Sequence, residues 1–505
     1  MFEDFRNRIS LEEGSKFPSN IYRKIVLQPA YDEAKKNFLS SMLQIHIAHL
    51  KMLEEQQLVT HDEAIQISAA IQKLDLDFFG TEDYNPQFED LFFRIENKLI
   101  ELTGDVAGNL HIGRSRNDMG IAIYRMTLRK KMLGLMNSLV LLRSNLVAAA
   151  TEHVDTIMIG YTHTQQAQPT TFAHYLKAVI DQLDRDFKRM QEAYGTINRS
   201  SMGAAALTTT GFNINRERMC DLLAFDDIIE NAWDAVAGAD YITEAAMVVQ
   251  LSALNLGRTA QDFLLWATQE FNAFTLASPY VQVSSIMPQK RNPVSIEHTR
   301  SLLSAVVGDT NTVLQMVHNT PFGDIVDTED DMQPYVWRAI DRLMDIYKLF
   351  GSLVITMNVN KEKLLMRAQN SFANVTELAD TLVRSENISF RQAHSIVSRC
   401  VKLLLSLGEE SLESLTWELA NEESLYVTQN PLTISQEDFY KALTPEHFVK
   451  VRTILGGPSP QTMLASMKVA EVHEKTLISW IASKEDKIRN SEEQLNNFIK
   501  DWQGM

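Results

Sequence analysis

Cysteine is nearly missing from this sequence: in 505 residues only Cys220 and Cys400 occur, far apart. That excludes a disulfide framework and points to a reducing compartment. Near the polar loops no HxxxH or CxxC spacing stands, so no metal site and no cofactor are expected. Glycine (20) and proline (13) are sparse, which leaves no room for a disordered linker or a repeat built on turns. No uncharged apolar run reaches membrane-spanning length. The opening MFEDFRNRIS holds no apolar signal core, and a cytoplasmic protein is expected. Cations are short as well, 48 Lys and Arg against 65 Asp and Glu, for a net charge of −17. Such a surface argues against nucleic acid or an anionic membrane as partner. Any anionic substrate has to be held by local cations.

What is present is helical periodicity. In YITEAAMVVQLSALNLGRTAQDFLLW, apolar residues recur at Ile242, Ala245, Val249, Leu256, Ala260 and Phe263, close to a 3.6 period. The same spacing predicts helices over 119–154, 172–197, 294–317 and 333–357. Lengths of this order suggest a bundle of long helices. Alternating strand patterns with Gly or Asn turns are nearly absent. The fold class is therefore all-α. Beyond about 372 the helices look shorter. We divide the chain into an N-terminal helical domain (1–114), a central long-helix domain (115–372) and a C-terminal helical domain (373–505).

Polar residues with chemical potential concentrate in the breaks. GDVAGNLHIGRSRND (104–118) precedes a long helix, GYTHTQQAQPTTF (160–172) separates two more, and PFGDIVDTEDD (321–331) is a further break. VSSIMPQKRNP (283–293) mixes two serines, two prolines, two cations and an amide. Each proline pushes the preceding residue out of the α region, so this stretch is a cationic loop. Its plain reading is a charged surface tip. Its sharper reading is an anion hole in which backbone N–H groups, Lys290 and Asn292 hold a carboxylate while a serine does chemistry. Around GRSRND the plain reading is that Ser115, Asn117 or Asp118 caps the helix. The alternative is a carboxylate site at the helix N-terminus.

Taken together, GRSRND (113–118), GYTHTQQAQP (160–169) and MPQKRNP (287–293) resemble the three loops of the fumarase/aspartase superfamily of lyases. Within it, the sequence is most similar to argininosuccinate lyase. Arg291 alone leans toward adenylosuccinate lyase. Weaker similarity runs through IAHLKMLEEQ (47–56), EDLFFRIENKLIELTGD (89–105) and NAWDAVAGADYITE (231–244). The resemblance implies three helical domains and a homotetramer with a twenty-helix core and active sites shared between subunits. It also implies elimination across a succinyl C–N bond of a small dicarboxylate substrate, releasing fumarate without metal or organic cofactor. By residue-to-residue transfer Ser284 is the base, and His163 orients the substrate or protonates the departing nitrogen. Ser115, Arg116, Asn117, Thr162, Ser285, Met287, Lys290, Asn292 and Glu329 bind substrate.

The sequence departs from the family at stated points. Val283 replaces the glycine before the paired serines, Ile112 a threonine, and Phe92 a histidine. Met42 and His46 stand where an acidic residue and a serine serve the arginine end. A Tyr-Asn-Lys-Asp-x-Gln stretch becomes Asp324-Ile325-Val326-Asp327-Thr328-Glu329. The succinyl half is matched and the amine half is not. The expectation is a C–N lyase with a changed amine; Asp324 and Glu329 suit a cationic or polyamine-like one, and their plain reading is surface acids. The alternatives are an ordinary argininosuccinate lyase and an inactive scaffold on the same fold.

Overall fold

The computed structural model describes residues 1–504 and is all-α. The helices that matter for the site are α1 (Leu39–Glu55), α2 (Arg116–Glu152), α3 (Phe172–Ile197), α4 (Asp240–Trp266), α5 (Val294–Val317), α6 (Gln333–Thr356) and α7 (Pro460–Trp502). The expected periodic segments and α2–α6 coincide to within a few residues at each end. α2 is the axis of the bundle. Ser115 caps it, accepting from the Asn117 N–H, while its own N–H donates to Asp118 Oδ1 at 2.9 Å. Burial on every face, with Met119 and Ile121 through Arg129 all inside, is the pattern of a helix surrounded by others. α2 is also long and apolar enough to cross a membrane, but 67% of that window is buried inside this chain.

Three arginines inside the bundle tie α2 to its neighbours. Arg125 donates to the carbonyls of Thr196 (2.8 Å) and Ile197 (3.3 Å) and lies over the Tyr241 ring. Arg129 donates to Asn198 Oδ1 and the Leu223 carbonyl. Arg143, fully buried, pairs with Asp184 at 2.7 Å and Glu474 at 3.0 Å. A buried cation is tolerated only when paired and hydrogen-bonded, so each arginine fixes a particular neighbour. They place the end of α3 and the start of α4 at the N-terminal end of α2.

The central helices alternate in direction. Arg300 of α5 bonds Gln261 of α4, and Gln250 of α4 reaches the Val307 carbonyl. Asp309 of α5 pairs with Arg338 and Arg342 of α6. Tyr124 near the start of α2 donates to Asp330 just before α6. Residues 113–118 and 318–332 therefore share one end of the bundle. Residues 153–171 and 267–293 share the other.

Two regions correct the sequence reading. The 160–172 break is a hairpin of β1 (Ile157–Thr162) and β2 (Gln165–Thr171), antiparallel with an irregularity at Gly160/Tyr161. Its turn is His163-Thr164, at φ 50° and 63°. Left-handed backbone costs a non-glycine residue about 1–2 kcal/mol, so neither residue type announces such a turn. The final helix α7 is 43 residues long, not one of a set of short ones. It runs back along α2, with Lys130 meeting Glu492 and Ser491 donating to the Leu222 carbonyl. The second apolar core is built from residues such as Leu382, Ile396, Leu404 and Phe439, whereas Leu477, Ile481 and Leu495 of α7 join the main one.

Candidate functional site

The predicted site residues fall into two groups at opposite ends of the bundle. Ser115, Arg116, Asn117 and Glu329 lie at the N-terminal end of α2. Thr162, His163, Ser284, Ser285, Met287, Lys290 and Asn292 lie at the other. A 37-residue helix rising 1.5 Å per residue spans about 55 Å. One chain does not bring the two groups together.

The second group is open. Thr162 and His163 sit exposed at the hairpin tip, where the Thr164 hydroxyl donates to the His163 carbonyl. The 283–293 loop is closed by a short antiparallel pair, β3 (Gln282–Val283) with β4 (Arg291–Asn292). Pro288 interrupts any helix between them, and Lys290 N–H closes a turn onto the Met287 carbonyl. Ser284, half-buried, accepts from the N–H groups of Ile286 (3.4 Å) and Met287 (3.1 Å). Two N–H donors on one hydroxyl oxygen favour its anionic form. Ser285, Met287 and Lys290 face solvent, as do the apolar side chains of Val283 (68% exposed) and Ile286 (82%).

The first group is partly covered: Ser115, Asn117 and Glu329 are half-buried and Arg116 is exposed. Arg116, Asn117 and Glu329 line a cavity of about 480 Å³ between the start of α2, the 324–331 segment and the helix Gln28–Asn37. Ser115 caps α2, and its hydroxyl donates to Asn117 Oδ1 at 2.8 Å. Asn117 donates in turn to Asp324 Oδ2 at 2.5 Å. Arg116 pairs with Asp90 at 2.7 Å and Glu89 at 3.4 Å. Burial, then the hydrogen bond and charge of Asp324, push the Glu329 carboxyl up to about 8. A neighbouring carboxylate at close range disfavours the charged form of Glu329.

Beneath the loop, Asp118 is fully buried and accepts from the N–H groups of Ser115, Gly203 and Ala205. Burial raises it to about 6 despite those donors. Met42 lines the cavity. His46 is buried behind it, its Nδ1 3.0 Å from Arg114, and burial and that guanidinium hold it well below the usual imidazole value. A neutral histidine is thus an acceptor for Arg114. Sequence reasoning had not singled out Glu89, Asp90, Asp330 or Tyr124, which come from separate segments. The only signal was the EDLFF departure, which holds Glu89 and Asp90 themselves.

The family described as lyase matches residues 28–308, and the argininosuccinate lyase C-terminal family matches 372–450. Argininosuccinate lyase 2 of Agrobacterium fabrum is 39% identical over 452 residues, 89% of each chain. The chain belongs to the argininosuccinate lyase-like branch of the fumarase/aspartase superfamily. An argininosuccinate lyase of Methanococcus maripaludis is 35% identical over 95% of this chain and 98% of its own. Among solved structures, an EDDS lyase variant with bound fumarate superposes with a TM-score of 0.84 at 30% identity, covering 97% of this chain and 96% of that one. EDDS lyase in complex with formate gives 0.83 at 29% identity, covering 98% of each. As a member of this branch the protein is a carbon–nitrogen lyase, with fumarate on the product side. Among the described residues no group of three or more His, Cys, Asp or Glu is arranged to hold a metal.

Proposed function

We propose that the protein eliminates an amine from an N-substituted aspartate, releasing fumarate, and that it works as a homotetramer with sites assembled from several copies. The observation that carries this is the split of the candidate residues between the two ends of the bundle. The exposed apolar positions of the central helices support it too. Met247, Leu254 and Leu265 of α4 and Leu302 of α5 are 38–49% exposed. Gly257 and Gly308 on the same helices face open space, where a Cβ would meet nothing within 4 Å. An apolar stripe with glycines favours close helix approach by another copy. Antiparallel pairing of bundles then sets the α2 end of one copy beside the Ser284 end of another.

In that composite site Ser284 removes the proton from the carbon next to the remote carboxylate. The C–H electron pair forms the C=C bond, and the C–N pair leaves with the nitrogen, which His163 protonates or orients. Removing that proton builds a second negative charge on the carboxylate. Preformed donors must meet it, and Thr162, Ser285, Lys290, Asn292 and the 284–288 backbone are the set. Met287 shapes the loop beside them. Asn117 stands where the succinyl half meets the amine half.

The amine released differs from arginine in this reading, because Met42, His46, Asp324 and Glu329 occupy the arginine side. A site built for one polar group rejects another strongly, since buried groups are left unpaired. The names of the relatives favour arginine itself as a second reading. Steady-state kinetics separate the two. The proposal expects poor cleavage of argininosuccinate alongside fumarate consumption with another amine, followed by fumarate ultraviolet absorbance. Argininosuccinate cleavage with kcat/KM of about 10⁴ M⁻¹s⁻¹ or more overturns the changed amine.

A further inference from the structure

We infer that His46 and His49 clamp the segment 112–114 and so position Asn117, through the Ser115 cap of α2, for the substrate. This rests on the C–N lyase reading above and adds two positioning residues to it. The two histidines stand three residues apart on α1, so both reach the same side of that helix. Each is 1% exposed. His49 Nε2 lies 2.9 Å from the Ile112 carbonyl, and His46 Nδ1 lies 3.0 Å from Arg114 Nη1. A carbonyl only accepts and a guanidinium only donates. The tautomers follow from the partners. His49 carries its proton on Nε2 and donates it to Ile112. His46 accepts at Nδ1, so its own proton is on Nε2. One imidazole gives a hydrogen bond to the segment and the other receives one from it, which holds both of its ends.

The residue between those ends is wedged. Gly113 sits at φ 69°, and a Cβ there would meet Ile214 Cγ2 at 2.6 Å. Arg114 is buried, and the bond to His46 is the one its guanidinium makes to a side chain. Asp118 and Glu96 act on it only through longer-range charge. A buried charged group left without its partner costs more than the bond itself contributes, so the place of Arg114 depends on His46. The cap begins at the next residue: the Ser115 N–H goes to Asp118, and Asn117 goes on to Asp324. Met42, one turn before His46 on α1, lines the same cavity as Asn117. α1 therefore carries one wall of the site and the clamp on the loop opposite. Displacing a positioned group by about 1 Å can cost about a hundredfold in rate, so a clamp of this kind acts on substrate without touching it.

The test compares His46→Leu with His46→Asn in the full-length oligomer. The Oδ1 of an asparagine stands close to where a histidine has Nδ1 and can accept from Arg114, whereas leucine has no acceptor. Fumarate is the probe. By calorimetric titration its Kd should rise at least about tenfold in His46→Leu and stay within about threefold of the parent in His46→Asn. Hydrogen exchange followed by mass spectrometry gives a readout that needs no ligand. Peptides over 111–118 should exchange at least about tenfold faster in His46→Leu and at the parental rate in His46→Asn, with α7 unchanged in both. His49→Leu, which frees the Ile112 carbonyl, is the second variant should His46→Leu fold poorly, and the same loss is expected of it. Parental fumarate affinity in His46→Leu, or a His46→Asn protein as impaired as His46→Leu, overturns the inference. Faster exchange spread evenly over the whole chain does so too, because it marks a purely structural role. A parental protein that neither binds nor releases fumarate removes the lyase reading instead, and exchange over 111–118 then decides the clamp alone.

Discussion

The two ends of the bundle are built on opposite plans. At the α2 end the polar groups are bonded to one another, though Arg116 and Asp324 reach solvent: Ser115 to Asn117, Asn117 to Asp324, Arg116 to Asp90. At the other end Thr162, His163, Ser285 and Lys290 face solvent with few partners. An acidic end that is complete within one chain contrasts with a hydroxyl- and cation-bearing end that is not. The difference teaches where each copy is self-sufficient. The acidic cavity can be organised by the chain's own helix caps and ion pairs. The Ser284 end leaves its groups exposed, which suits the proposal that another copy closes over it.

The largest way to sharpen the contrast is at the open end. Ser284→Ala should lower turnover at least about a hundredfold while the circular dichroism spectrum stays that of a helical protein, because Ser284 supports no helix. Near-parental turnover would remove Ser284 as the base. The α2 end should answer with stability instead. Asp118→Ala strips an acceptor from three backbone N–H groups, that of Gly203 buried, and should cost about 3 kcal/mol, read from denaturant midpoints. An unchanged midpoint would mean that this end is not held as described.

The smallest effect concerns the Glu329 carboxyl. The Glu329 carboxyl titrates at about 8 in the fold against its ordinary 4.5, so the fold prefers the protonated form. Its stabilisation is complete below the ordinary value and is lost as pH rises through about 8. Glu329→Gln keeps a neutral hydrogen-bonding group. Its Tm should match the parent near pH 5 and exceed it by about 2 °C at pH 9. An identical offset at both pH values would contradict a raised Glu329.

How much of this could be read from the sequence depended on the kind of signal. The helices over 172–197 and 294–317 matched their periodic segments residue for residue, because one wide apolar face repeats every turn. The hairpin did not, because its turn is His163-Thr164 rather than Asn-Gly, and its second strand is rich in glutamine and threonine. α7 was missed for a different reason: Leu477, Ile481, Ile488, Leu495 and Trp502 form a narrow stripe, mostly one residue in seven, within a charged sequence. The loop motifs were legible as chemistry, since Pro288, Lys290 and Asn292 have no reason to share a helix or strand. That Asn117 and Ser284 lie at opposite ends required the direction of five helices. The acidic cavity required contacts between residues 89–90 and 324–331, which no local pattern connects.

The central claim is that a working site takes one end from each of two copies. It is tested most directly by co-expressing Asn117→Leu and Ser284→Ala chains under different tags, purifying the doubly tagged oligomer, and measuring its fumarate-releasing activity beside each parent variant. Each variant alone should be nearly inactive, and the mixture should recover about one quarter of the unmutated activity, since random pairing in a closed oligomer leaves that share of sites with both residues intact. A mixture no more active than the two variants, or a protein that is monomeric by light scattering and fully active, would contradict it.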